Sequence, residues 1–446
     1  MAAVDTPQAA VQPAAPPASR SGAGSRLFIL AVLVSAGAHM FTCMGGEMQM
    51  EGLPLSIPGA VLAWVAFACY RRPRRFALTL AATCGILFFA GNISAEEPPT
   101  TETRPFWMGF NPWPYDATTE AVDWTYKAIN AKGDVISHHI EEGVPWPEAA
   151  AEKPFADDFA TSLDMRLKKT EPGKKVFLSL NPINPGRNGL APYRGSGINM
   201  ALPSPWDKAE LNSKEVKSAY LKYLKRMIAL FKPDWLAIGI EVNLLARNSP
   251  ALWPKYVELH RYIYGELKKS NPGLVLIASF DSNALLDGYS TMDDPAVQKK
   301  AFQDLLPFID TLGISLHPFL STVYFADSIP EDMFDRIFTL TKKPVAITES
   351  SYSAQPWTLH VNGGAIEFKG SPEKQVAFTS RMLEAARKYK APFVVMFTIR
   401  DYDALWNVIG KSDLALPWRD TGLYDEDGKP RPALETWEAW LKRPRK

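Results

Sequence analysis

Cysteine is scarce and confined. The 446-residue chain has three, Cys43, Cys69 and Cys84, all within the first hundred residues. The larger part therefore has no disulfide to staple it and no cysteine to ligate zinc. Charge of one sign is lacking as well. Lys and Arg number 49 against 48 Asp and Glu, a net charge of +1, so no global field draws the protein to nucleic acid. No Gly-x-Gly-x-x-Gly follows the first apolar run, which removes support for a dinucleotide site. What is present, 46% hydrophobic and 22% charged residues, supports a folded core.

The first hundred residues differ from the rest. Residues 1–26 are rich in Ala, Pro, Ser and Gly and are expected to form a disordered tail. Within 27–95 lie three apolar segments, Leu27–Met44, Leu53–Tyr70 and Phe76–Ile93, each 18 residues long and free of Lys, Arg, Asp and Glu. That length matches the roughly 17–25 residues of a membrane-crossing helix. Arg20 and Arg26 precede the first segment, Glu47 and Glu51 follow it, Arg71–Arg75 ("RRPRR") separates the second from the third, and Glu96 and Glu97 follow the third. Basic flanks stay cytoplasmic, so the C-terminal part is expected outside. A signal-peptide reading of the stretch starting at Arg71 also exports it; a buried hairpin of core helices does not. Residues 96–105 read as a polar linker.

From 106 to 446, eight apolar runs suited to buried parallel strands begin at Phe106, Gly133, Lys174, Asp234, Leu274, Thr311, Lys343 and Pro392. Amphipathic stretches such as "SKEVKSAYLKYLKRMIALF" separate them. Alternating strand and helix predicts a parallel sheet with both faces covered. Eight units predict an α/β fold of the closed (β/α)8 TIM-barrel type, preceded by hydrophobic transmembrane helices.

Each run gives way to polar or aromatic residues at its C-terminal end, the face on which barrel active sites sit. The fourth ends on Glu241 ("DWLAIGIEVN") and the seventh on Glu349 ("KPVAITESSY"). A carboxylate at the end of a buried strand is costly unless paired or used. Two of them facing one cleft suit glycosidic hydrolysis: one protonates the leaving oxygen, the other attacks the anomeric carbon or activates water. His138, Asn181, Trp113 and Trp146 are candidates for sugar contacts at the same mouth, with Arg400 and Trp406 from the eighth unit. His138 and His139 are adjacent on a strand and point to opposite sides. Together with Glu141 and Glu142 they are read as hydrogen-bonding or packing groups rather than metal ligands, and no cofactor is expected.

These motifs resemble the retaining glycosidases of clan A, and within them the arabinogalactan endo-β-1,4-galactanases of glycoside hydrolase family 53. "GIEVN", "GISLHPFL", "KPVAITESSY" and the closing "DTGLYDEDGKPRPALETW" carry the likeness, which covers the fourth to eighth strands well and the first three poorly. The resemblance implies that Glu241 is the acid/base and Glu349 the nucleophile, with His317 and Tyr352 close by. The clan's Asn before the acid/base is Ile240 here; either Asn243, two residues beyond Glu241, substitutes for it or the contact is lost. The family's Arg-bearing second strand is replaced by "SHHIEEGVPW", and the Trp at the tip of the eighth strand is absent. For Glu241 to act as an acid, its surroundings must raise its pKa.

The expectation is thus a membrane-anchored, extracytoplasmic hydrolase of polysaccharide or oligosaccharide. The alternatives are a barrel that binds polysaccharide or scaffolds an envelope assembly without cleaving, and an aldolase or lyase. The last needs a strand-borne lysine, and no lysine lies inside the fourth to eighth strands as read from the sequence.

Overall fold

The computed structural model describes residues 102–323, 329–361, 364–413 and 415–446. The tail and the three apolar segments expected to cross a membrane lie outside the described residues. Among those described, no helix is long and apolar enough to span a bilayer.

The strands are β1 (Trp107–Phe110), β2 (Val135–Ile140), β3 (Lys175–Leu180), β4 (Trp235–Ala237), β5 (Val275–Asp281), β6 (Thr311–Leu316), β7 (Val345–Ser350), β8 (Trp357–Val361), β9 (Gly364–Phe368) and β10 (Phe393–Met396). All but β8 and β9 close into an eight-stranded parallel barrel. The ring is sealed by β1 lying parallel to β10, from Trp107 opposite Phe393 to Phe110 opposite Met396. Strands β8 and β9 form an antiparallel hairpin between β7 and β10.

Side-chain size decides how the barrel fills. Phe177, Trp235 and Phe393 meet at its centre, with ring centroids 4.7 Å apart from Phe393 to each of the others. Val135, Ala237, Ile277, Ala346 and Val395 complete this inner cluster. Burying each large side chain contributes about 1.5–3 kcal/mol. Such bulk needs small neighbours. At Gly109 a Cβ would stand 2.1 Å from the Val135 carbonyl oxygen, so β1 and β2 approach only because that atom is missing. Two residues further along the strands, Ser137, Ser179, Ser279, Ser315 and Thr348 replace the apolar layer and are themselves buried. Above them the site begins.

Outside the barrel, helices form where the apolar spacing predicts them. Lys214–Phe231 is capped by Ser213, whose side chain accepts from the Val216 N–H, and it buries Val216, Ala219, Tyr220, Tyr223, Leu224 and Met227. Pro372–Lys388 is capped by Ser371 in the same way. A cap of this kind is worth about 1 kcal/mol. The closing helix Pro432–Leu441 packs on β1 through Trp437, whose ring lies 4.8 Å from Phe110. Arg104, assigned to the linker from sequence, belongs to this floor instead. It is buried, forms an ion pair with Asp134 at 2.6 Å and donates to the Leu441 carbonyl.

Candidate active site

Regular pairing of β4 stops at Ala237, yet the chain stays on β5. Ile238 N–H donates to the Ile277 carbonyl at 2.9 Å and Val242 N–H to the Ser279 carbonyl at 3.0 Å. Between them Glu241 adopts a left-handed backbone, φ +48°, and its N–H donates to Ser279 Oγ at 2.9 Å. Such a conformation costs a non-glycine residue about 1–3 kcal/mol and persists where neighbours enforce it. The kink turns the carboxylate over the barrel mouth.

Glu349 arrives by a different device. On β7, Ala346 belongs to the inner cluster and Ile347 to the outer core. Strict alternation would send Glu349 outward. The pairing of β6 with β7 slips between Ile314 and Ser315, so that Ile314 faces Ile347 but Ser315 faces Glu349. This bulge turns the carboxylate into the mouth.

One carboxylate oxygen each from Glu241 and Glu349, and a ring nitrogen of His317, lie within 4.8 Å of one another. They face a cleft of about 250 Å³ whose walls also include Trp113, His139, Glu141, Arg187, Ile240, Phe397, Tyr402, Ala415 and Trp418.

Several of these groups hold one another. Arg187 is buried in the loop after β3. Its Nη1 donates to Glu141 Oε1 at 2.5 Å and its Nη2 to Glu241 Oε2 at 3.0 Å. Asn181 Nδ2 donates to Glu141 Oε1 at 2.7 Å. Burial raises the Glu141 carboxyl, but Arg187, then His139 and Asn181, outweigh it and hold the group down at about 2. Among the described residues Glu349 accepts no such hydrogen bond, and His139 Nδ1 stands 3.7 Å away. Burial first, then the nearby Glu241 and Glu141 charges, push it up to about 7 against the pull of His139 and Arg187. The acid/base candidate Glu241, by contrast, is paired with a cation, Arg187. His317 is buried, accepts or donates at Nδ1 with Ser351 Oγ at 2.7 Å, and is lowered to about 3 by burial and by His139. It is a neutral imidazole at the cleft floor.

The other sequence candidates divide cleanly. Trp113, 39% exposed, lines the cleft and packs against Phe397 and Tyr402. His138 does not reach the cleft. It points to the helix layer, 3.0 Å from Thr170 Oγ1 and against Phe231, and its neighbour His139 takes the inner side. Trp146 is fully buried, stacks with Trp206 and donates to the Ala191 carbonyl, so it supports the Arg187 loop rather than a sugar. Asn181 positions Glu141 and, through Oδ1, bonds the Ile240 N–H at 3.4 Å. Asn243 is buried and ties β4 to β5 through the Asp281 backbone. Tyr352 is buried among Phe319, Phe368 and Phe378. Arg400 lies over the rings of Tyr115 and Trp124 and donates to the Glu426 carbonyl. Trp406 packs on Arg419 and donates to the Ser412 carbonyl. Neither of the last two lines the cleft.

The residues that sequence reasoning missed are Arg187 and Phe397; His139, Glu141 and Tyr402 each follow or end an apolar run and were noted but not chosen. Arg187 had one signal. It is the cation in "NPINPGRNGL", a Pro- and Gly-rich loop that follows the third strand and so falls on the active face.

No protein-family model matches the sequence, and no curated protein matches it either. Solved structures do share its shape. An exo-β-1,4-mannosidase from Opitutaceae bacterium strain TAV5 is similar over 77% of this chain at 15% identity, with a TM-score of 0.52; this chain spans 60% of that one. GH5_18 from Streptomyces cattleya, in complex with GlcNAc, is similar over 77% of this chain and 81% of its own at 15% identity, TM-score 0.53. The Ignisphaera aggregans GH53 catalytic domain matches over 77% of this chain and 98% of its own at 16% identity, TM-score 0.49. The mannosidase and GH5_18 likenesses, read with the sealed ring of eight parallel strands, establish that this chain is built on the (β/α)8 barrel those structures share.

Proposed function

We propose that the protein is a glycoside hydrolase that cleaves O-glycosidic bonds with retention through Glu241 and Glu349. The observation that carries this reading is their approach: one oxygen of each lies within 4.8 Å of the other across an open cleft. Retaining enzymes place the two carboxyls about 5–5.5 Å apart, inverting ones about 6.5–9.5 Å. Glu349 attacks the anomeric carbon and forms a glycosyl ester while Glu241 gives its proton to the departing oxygen. Glu241 then takes a proton from water, which releases the sugar and frees Glu349. Trp113 and Trp418 supply aromatic surfaces on the cleft wall. Glu141, Glu241 and Glu349 face the cleft with Arg187 as its one permanently charged cation among the lining residues. That balance repels anionic sugars, so the substrate class is a neutral oligosaccharide or polysaccharide.

Arg187 sets a condition on this scheme. Glu241 must carry a proton to act as an acid, so the incoming sugar has to loosen the Arg187 clamp. A second reading follows from the same feature together with Ile240, which presents an apolar wall beside Glu241: a barrel that binds glycan without cleaving it. The full-length chain and its Glu349→Gln variant, assayed on aryl glycosides and neutral polysaccharides, separate the two. Hydrolysis by the parent and a loss of at least roughly a hundredfold in the variant support the enzyme. A 2-deoxy-2-fluoroglycosyl fluoride should esterify Glu349, located by peptide mass mapping. Equal, negligible turnover with retained sugar binding in both proteins supports the binder.

Placement completes the proposal. We infer a membrane-anchored protein with its barrel on the extracytoplasmic side, supported by the three uncharged 18-residue segments and the sorted Arg and Glu flanks.

A further inference from the structure

His139 stands between two carboxylates of the cleft. It leaves β2 on the same face as Val135, which belongs to the inner cluster. Its Nε2 is 3.6 Å from Glu141 Oε2, and its Nδ1 is 3.7 Å from Glu349 Oε2. Both ring nitrogens therefore face an acceptor. A neutral imidazole has an N–H on one nitrogen only and would turn a lone pair towards one carboxylate; the imidazolium presents a charged N–H to each, at ion-pair distance. The surrounding charges agree. Glu141 directly follows β2, Glu349 comes from β7, Glu241 follows β4, Arg187 comes from the loop after β3, and His317 follows β6. Three carboxylates meet one permanent cation, and Arg187 is spent on Glu141 and Glu241. His317 is bonded to Ser351 and stays neutral. Glu349 has His139 as its only cationic partner closer than 4 Å among the described residues.

Resting on the glycosidase reading above, we propose that His139, as an imidazolium anchored by Glu141, is the positioning residue for Glu349, holding it ionised and aimed at the anomeric carbon. Burial opposes the charge on the ring, but Glu349 and then Glu141 outweigh it and raise the histidine above its ordinary value. The active form has His139 protonated and Glu349 ionised. As pH rises and His139 loses its proton, Glu349 loses its support, so the proposal assigns the alkaline limb of the kcat/KM profile to His139.

Two measurements on the full-length chain test this. The first is nitrogen NMR of histidine side chains labelled with ¹⁵N, the His139 signals being identified by their loss in His139→Phe. At about pH 7, where an ordinary imidazole is mostly neutral, both His139 nitrogens should be protonated. The titration midpoint should fall in Glu349→Gln and again in Glu141→Gln. A single neutral tautomer at that pH, or a midpoint indifferent to both substitutions, overturns the proposal whether or not the protein cleaves sugars. The second is kinetic. His139→Phe should lower kcat/KM about a hundredfold, with its loss mainly in kcat. His139→Arg, a cation that does not titrate, should recover most of it and move the alkaline limb upward. An unmoved limb in the arginine variant overturns the assignment. Absence of turnover in the parent removes the glycosidase reading and leaves the NMR result to decide the role of His139.

Discussion

Glu349 ionises against opposition. Its carboxyl is raised from 4.5 to about 7, chiefly by burial and then by Glu241 and Glu141. That has a thermodynamic sign. Below about 4.5 the group is neutral folded and unfolded, and Glu349→Gln should match the parent. Between 4.5 and 7 the unfolded chain ionises while the folded one keeps its proton, so the parent loses stability relative to the variant. Above 7 the gap should level off on the order of 3 kcal/mol. Urea unfolding of both proteins across this range is the check; a gap independent of pH would show that Glu349 does not bear the strain. At this scale the sequence was half legible. Glu241 and Glu349 stood out because each ends an apolar run. His138 and His139 could not be sorted by polarity alone, because both faces of the strand carry apolar residues, Val135 on one and Ile136 and Ile140 on the other. The clue lay in size: Ser137 shares the His139 side, and barrel interiors take small residues where Ile136 and Ile140 would not fit. Tyr352 and Trp146 misled because a buried aromatic and a sugar platform have the same composition.

Among the elements, β1 and β2 approach each other at a point where no side chain fits. A Cβ at Gly109 would lie 2.1 Å from the Val135 carbonyl oxygen and 2.7 Å from its Cβ. Backbone cannot yield as a flexible side chain does. Gly109→Ala should therefore cost about 3 kcal/mol or more, read as a lowered denaturation midpoint with an unchanged slope. A change under 0.5 kcal/mol would mean the strands can part without consequence. The strands and long helices were legible because burial on both faces writes continuous apolar runs, and because Ser213 and Ser371 stand where caps are needed. The β8–β9 hairpin was not in the expectation, although Asn362-Gly363 between two alternating runs is a hairpin signal. The amphipathic stretch "EDMFDRIFTLT" forms only the short helix Met333–Phe338, which ends at Thr339, whose hydroxyl donates to the Asp335 carbonyl at 2.7 Å.

For the whole molecule, eight units foretold a closed barrel, but closure itself joins residues at opposite ends of the domain. Trp107 meets Phe393, and Arg104 meets both Asp134 and Leu441. No local pattern encodes such a contact, which is why the chain at Arg104 read as linker. The proposed topology has its own test at this scale. A reporter fused after residue 100 of the full-length N-terminal region should be active only outside the cytoplasm; activity only inside would reverse the orientation. The slip between β6 and β7 bears on the molecule's history as much as on its chemistry. It sets the phase of a single carboxylate: were every residue after Ile347 paired in strict alternation, with no bulge, position 349 would look into the shell of helices, and the barrel could still close. A lineage could therefore switch this centre off by re-pairing β7 without its bulge and keep the fold, a route to silent copies that leaves both glutamates in the sequence and none of their meeting.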